Sequence, residues 1–170
     1  NVGTMDVPFQ FDLSVPSLSA SNPNANTNVG FSITGTAFDS NALAATAITV
    51  TQKKDSGSAI EIATNGPSTT DSWATWTLDN LPRDPDSIGD QDGIDSSSDG
   101  VYEYIITATD VAGRITQQTR TVRFDATAPE MIVISTPNVS GTEVIGSSFT
   151  ISGTASDAGS SVAQVYYSFD

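Results

Sequence analysis

Apolar and polar residues alternate along most of this chain, and no segment repeats its apolar positions at helical spacing. In FSITGTA, Phe31, Ile33, Gly35 and Ala37 share one face while Ser and Thr take the other, as in a strand with one side against a core. AITVTQ (47–52) and AIEIAT (59–64) flank the turn-forming KKDSGS and predict a hairpin. WATWTL (73–78) carries Trp73 and Trp76 an odd number of residues apart, which puts them on opposite faces of a regular strand, one of them filling the core. VYEYIITATD (101–110) and RITQQTRTVRF (114–124) flank the tight turn DVAG. With a first strand inside 9–18, the pattern gives seven short strands and an all-β antiparallel sandwich.

The pattern also recurs. GFSITGTAFDS (30–40) returns as SFTISGTASDA (148–158), with Phe31 on Phe149, Ile33 on Ile151, Gly35 on Gly153 and Asp39 on Asp157, an offset of 118 residues. Between the copies, DATAPE (125–130) reads as a linker. The domain reading is therefore a linker or end of a preceding unit at 1–9, a complete unit at 10–127, and the first strands of a second at 128–170. VAQVYYSFD (162–170) reads as the third strand of that second unit. Three strands of a seven-strand sandwich leave edges uncovered, so a longer chain or a neighbour is expected to complete them.

Seven alternating strands in such a unit are the signature of an immunoglobulin-like sandwich. Three motifs, in order, narrow it further: Gly100 and Tyr102 at a strand start, Asp110 to Gly113 in ATDVAGR, and Asp125 to Pro129 in DATAP. Together they resemble the bacterial Ig-like repeats strung along large surface proteins and adhesins. Arg114 stands where that family usually has Asn. Tyr102 fits a tyrosine corner, and Tyr104 occupies the position where antibody domains carry a cysteine. The resemblance implies an extracellular, cell-surface location and neighbouring Ig-like repeats, of the same or adjacent chains, as partners.

Composition removes several functions. Six Lys and Arg against twenty Asp and Glu give a net charge of −14, which excludes a nucleic-acid footprint and an anionic membrane surface, and suits divalent cations. No His and no Cys leave no thiolate chemistry, no disulfide and no Ser-His-Asp triad. No run of about 18 apolar residues is present to span a bilayer as a helix.

Candidate chemistry concentrates in RDPDSIGDQDGIDSSSDG (83–100), where Asp84, Asp86, Asp90, Asp92, Asp95 and Asp99 crowd together. Alternating strand directions place this loop at the C-terminal end of the unit, beside Asp125, Glu130 and Asp157 of the junction. These aspartates, with Asp125 and Asp157, are the candidate metal ligands, and Ca²⁺ is the candidate ion because it accepts irregular oxygen cages. The pattern is not an EF-hand: Ile88 and Gln91 sit at the wrong loop positions. A plain solvated acidic loop is the competing reading. Asp110 reads as a turn cap rather than a ligand, and Asp39 either as a ligand or as a cap of its own turn.

No enzyme is expected, because a carboxylate pair on an exposed loop has no cleft to raise one pKa. Lys53 and Lys54, in a hairpin turn, offer no buried amine for an isopeptide bond. The functional expectation is a structural spacer module of a repetitive extracellular protein, stiffened by Ca²⁺ at its junctions. The alternative is a module binding carbohydrate or protein through loops at its N-terminal end or an edge strand.

Overall fold

The alternation of FSITGTA becomes an inner strand with alternate residues buried, and the rest of the molecule is assembled on both sides of the layer it starts. A computed structural model of the chain describes residues 11–63, 65–83, 98–130, 132–136 and 151–166. Among these the strands are β1 (Ser17–Ala20), β2 (Asn26–Thr27), β3 (Phe31–Phe38), β4 (Leu43–Lys54), β5 (Ile60–Glu61), β6 (Thr75–Leu81), β7 (Gly100–Asp110), β8 (Ile115–Phe124), β9 (Val133–Thr136) and β10 (Ser152–Thr154). A three-stranded sheet runs β1-β3-β6 and a five-stranded sheet runs β2-β8-β7-β4-β5. All pairings are antiparallel except β2 with β8. β9 and β10 pair by themselves.

One buried cluster joins the two larger sheets. Ile33, Trp76, Leu78 and Leu81 from the smaller sheet meet Val50, Tyr102, Tyr104, Ile106 and Phe124 from the larger. The fold is therefore all-β with the packing of a β-sandwich. Tyr104, where a disulfide is absent, is enclosed by aromatic contacts: Phe31 meets it edge-on with centroids 5.8 Å apart, and Tyr102 stacks at 6.3 Å. Gly35 is required by close approach, since a Cβ there would lie 2.5 Å from the Trp76 ring and would also strike the Ser19 carbonyl.

Several elements differ from the sequence reading. Among the described residues the first strand begins at Ser17, at the end of the expected 9–18, because Ser14 turns back on Asp12: its amide and hydroxyl both donate to Asp12 Oδ1, at 3.0 and 2.6 Å. After Ala20 the chain crosses to the other sheet and forms the short β2, which no periodicity announced. Among the described residues of AIEIAT, Ile60–Glu61 alone join the ladder, although the hairpin with β4 forms. WATWTL supplies β6 only from Thr75; Trp73 lies outside the strand at φ 75° and Trp76 fills the core. In VAQVYYSFD, residues 162–166 are not strand, since no neighbouring strand among the described residues offers them hydrogen bonds, and 167–170 lie outside those residues.

β8 turns polar side chains inward near its start. Its inward positions near the start are Thr116, Gln118 and Arg120, while Ile115 is exposed. These side chains reach across to β1, where Thr116 Oγ1 donates to the Pro16 carbonyl at 2.6 Å and Gln118 Nε2 to the Leu18 carbonyl at 2.8 Å. Arg120 donates to the Ala20 carbonyl and, through Nε, to the Ser21 carbonyl at 2.9 Å. Side chains thus replace a backbone ladder along the open edge where β1 leaves its sheet.

The buried Tyr102 hydroxyl donates to the Ser98 carbonyl at 2.7 Å and ties β7 to the segment before it. Replacing Tyr102 by Phe removes this bond and should lower unfolding free energy by about 1 kcal/mol. Urea denaturation checks this; an unchanged midpoint would show that the bond adds nothing.

Candidate functional site

Of the candidate ligands, Asp84, Asp86, Asp90, Asp92 and Asp95 lie outside the described residues. Asp99 is placed, and it serves the backbone: Oδ1 accepts the Ala126 amide at 2.6 Å and the other oxygen accepts the Thr127 hydroxyl. It clamps the outgoing linker to the start of β7. Asp125 accepts the Thr127 amide at 3.2 Å and packs against Gly159 of the second unit. Asp157 accepts the Gly159 and Ser160 amides at 3.0 and 2.7 Å. The Ser160 amide, with smaller contributions from the Ser160 hydroxyl and the Gly159 amide, holds the Asp157 carboxyl below its usual range against a desolvation effect second in size to that amide. Asp99, Asp125 and Asp157 therefore gather at the junction, where Arg123 Nη1 also donates to the Gly159 carbonyl at 2.7 Å. Glu130 is close by, its amide donating to the Ser156 carbonyl at 2.8 Å.

A tighter carboxylate group occurs at the opposite end of the two larger sheets. Asp12, Asp39 and Asp110 each place an oxygen within 4.8 Å of the other two. Three local rules converge on this point. Asp12 closes the Ser14 turn before β1. Asp39 follows β3 and accepts the Asn41 amide at 2.8 Å. Asp110 ends β7 and caps the β7–β8 turn, its Oδ1 accepting the Ala112 and Arg114 amides, both at 2.8 Å. Asp110 is thus a cap, as its motif indicates, but only one of its oxygens is used.

The other oxygen is the informative one. Asp110 is only 1 % exposed, and its Oδ2 is buried with no hydrogen-bond partner; Asp12 Oδ2 is in the same state. A buried carboxylate oxygen without a donor loses its hydration uncompensated. Arg114 is adjacent, yet its Nη1 donates to the Asp12 carbonyl at 3.3 Å rather than to a carboxylate. Oxygens gathered within 4.8 Å of one another are near enough for one hard cation to be shared among them after a small inward adjustment, since Ca–O bonds run at roughly 2.3–2.6 Å. Hydrogen bonding from Ser14 lowers the Asp12 carboxyl most, with lesser help from Asn41 and the Arg114 charge, while burial opposes.

Asp12 carried no motif, so sequence reasoning passed over it. The 118-residue offset held a usable signal, because it pairs Asp12 with Glu130 as well as Asp39 with Asp157. The turn repeats too: Asn41 and Gly159, each two residues on, donate their amides to Asp39 and Asp157.

Asp39 also borders an open groove of about 710 Å³, lined by Phe38, Leu43, a row of alanines, Thr69, Thr70, Ser72 and Trp73. Trp73 holds a left-handed backbone, which is unusual for a bulky residue. The surrounding loop fixes it: Thr69 Oγ1 accepts the Trp73 amide at 3.0 Å, and the indole Nε1 donates to the Ala45 carbonyl at 3.1 Å. Asp71 secures that loop by accepting from the Thr75 hydroxyl at 2.6 Å and amide at 2.8 Å, bonds that, in that order, hold its carboxyl below the usual range.

A scan against protein-family models finds no match to this chain, and a search of curated proteins finds none. Among the described residues no helix is long and apolar enough to cross a membrane.

Because Asp12, Asp71 and Asp157 have carboxyls depressed in the folded state, the stability they contribute is full above their unfolded values near ~4 and is lost as pH falls through the lower folded values. In chelator, Asp71→Asn should melt below the parent at pH ~7, and the two curves should converge near pH ~2. A gap of constant size across that range would assign the effect to shape rather than charge.

Proposed function

We propose that this chain is a non-enzymatic spacer module of a repetitive extracellular surface protein, built on immunoglobulin-like units whose ends are stiffened by a hard divalent cation. The strand order supports the unit assignment: the first strand is divided between both sheets, β2 runs parallel to the last strand, and β4, β7 and β8 form the centre of the larger sheet. The observation that carries the spacer reading is that acidic side chains organise the segments leading into and out of the complete unit. Asp12, Asp39 and Asp110 meet at the incoming segment. Asp99 and Asp125 fix the outgoing one, with Arg123 reaching Gly159 beyond it. A rod needs such restraint at each joint, since short linkers otherwise leave neighbouring beads free to swing.

Within this reading Asp12, Asp39 and Asp110 are the preferred cation ligands, ahead of the acidic loop. Asp99 has both oxygens engaged by the linker, whereas Asp12 and Asp110 each keep one buried and unpartnered. The ion would neutralise converging charges and fasten the incoming segment to two turns of the sandwich. Sites of this kind bind in the ~0.1–1 mM range, so ~1 mM calcium against ~0.1 mM affinity stabilises by about 1.4 kcal/mol.

The test is thermal melting of the full chain with millimolar calcium and with chelator. Calcium should raise the melting temperature by roughly 5 °C. Asp110→Asn keeps a turn-capping oxygen and relieves like-charge repulsion, so it should melt no lower than the parent in chelator and lose the calcium response. An Asp110→Asn protein that still responds fully would remove this site from the mechanism.

The Trp73 groove favours a second reading, a ligand-binding module at the same end. Its indole, with hydroxyls of Thr69, Thr70 and Ser72 around it, suits the apolar face and hydroxyl rim of a neutral carbohydrate. Under this reading, retardation in gels containing neutral polysaccharide is lost in Trp73→Ala, run at a temperature where circular dichroism shows the variant still folded. Migration identical with and without polysaccharide would retire it.

A further inference from the structure

Arg114 departs from the Asn expected at its motif position, and its surroundings give the departure a consequence. The residue touches two members of the carboxylate group in different ways. Its amide donates to Asp110 Oδ1 at 2.8 Å, a contact any residue there would supply. Its half-buried guanidinium donates to the Asp12 backbone carbonyl at 3.3 Å and sits close enough to act on the Asp12 carboxylate electrostatically. Arg is permanently charged, so this positive charge is present at every pH of interest.

We infer that Arg114 is a resident counter-charge that competes with the divalent cation for Asp12, Asp39 and Asp110 and weakens its binding. This rests on the cation site proposed above and names a residue that sets its affinity. A bound ion meets a like charge anchored on the Asp12 carbonyl, itself an oxygen that an ion at this site would otherwise attract. Without the ion, the guanidinium offsets part of the mutual repulsion of the three carboxylates, so the empty site stays folded. The arrangement trades tight binding for a joint that loads and unloads as cation concentration changes. A unit positive charge a few ångströms from a divalent ion in a partly wetted site opposes binding by on the order of tenfold in affinity.

The experiment is calorimetric titration of CaCl₂ into the full chain and into Arg114→Asn, Arg114→Gln and Arg114→Lys, subtracting the isotherm of Asp110→Asn to isolate this site. The neutral variants should bind about tenfold more tightly than the parent, and Arg114→Lys should stay at the parent's affinity. The same neutral variants should melt lower than the parent in chelator and gain more on adding calcium. Equal affinity in all four proteins, with binding abolished by Asp110→Asn, would overturn the role of Arg114 while leaving the site intact. Tightening in Arg114→Lys as great as in Arg114→Asn would also overturn it, by showing that shape and not charge is at issue. No Asp110-dependent binding in any of the proteins would sink the site and this inference together.

Discussion

The leading end of the unit depends on how a buried carboxylate disposes of two oxygens. Asp110 must stand where β7 ends, because the tight turn into β8 needs an acceptor for the Ala112 and Arg114 amides. That requirement uses one oxygen and leaves the other enclosed without a donor. The turn after β3 and the bend before β1 bring two further carboxylates to the same place for equally local reasons. Each cap is favourable alone, yet together they concentrate negative charge at low solvent exposure. Arg114 lies beside it, bonded to the Asp12 carbonyl, and under the proposed reading a cation offsets the rest.

The sandwich makes this convergence unavoidable. β3, β4 and β7 cross the core with alternate side chains buried, so their ends are held by packing rather than by the loops themselves. β1 is fastened on one side by β3 and on the other by Thr116, Gln118 and Arg120. That second seam fixes the chain just beyond Asp12. A segment tied so closely cannot move its carboxylate away from the other two without breaking hydrogen bonds along β1. The candidate site is therefore a product of the same contacts that close the open edge of the fold.

The two ends of the unit differ in how their acids are used. At the outgoing end Asp99 and Asp125 accept backbone and hydroxyl donors of the linker, so charge there is consumed in shaping the chain. At the leading end, buried oxygens are left over.

Much of the architecture was legible in the amino-acid order. The alternation in FSITGTA and VYEYIITATD specified strands and their buried faces, since period two can satisfy a core on one side only. ATDVAGR marked Asp110 as a cap. Tertiary structure decided the remainder. Thr116, Gln118 and Arg120 look like a solvent face, and only the approach of β1 makes them an inner one. Trp73 fits a strand by pattern, but the Thr69 and Asp71 hydrogen bonds draw it into a loop. Asp12, Asp39 and Asp110 are far apart in sequence, with nothing local to relate them. Their meeting depends on where three strand ends come to rest, and long-range packing alone determines that.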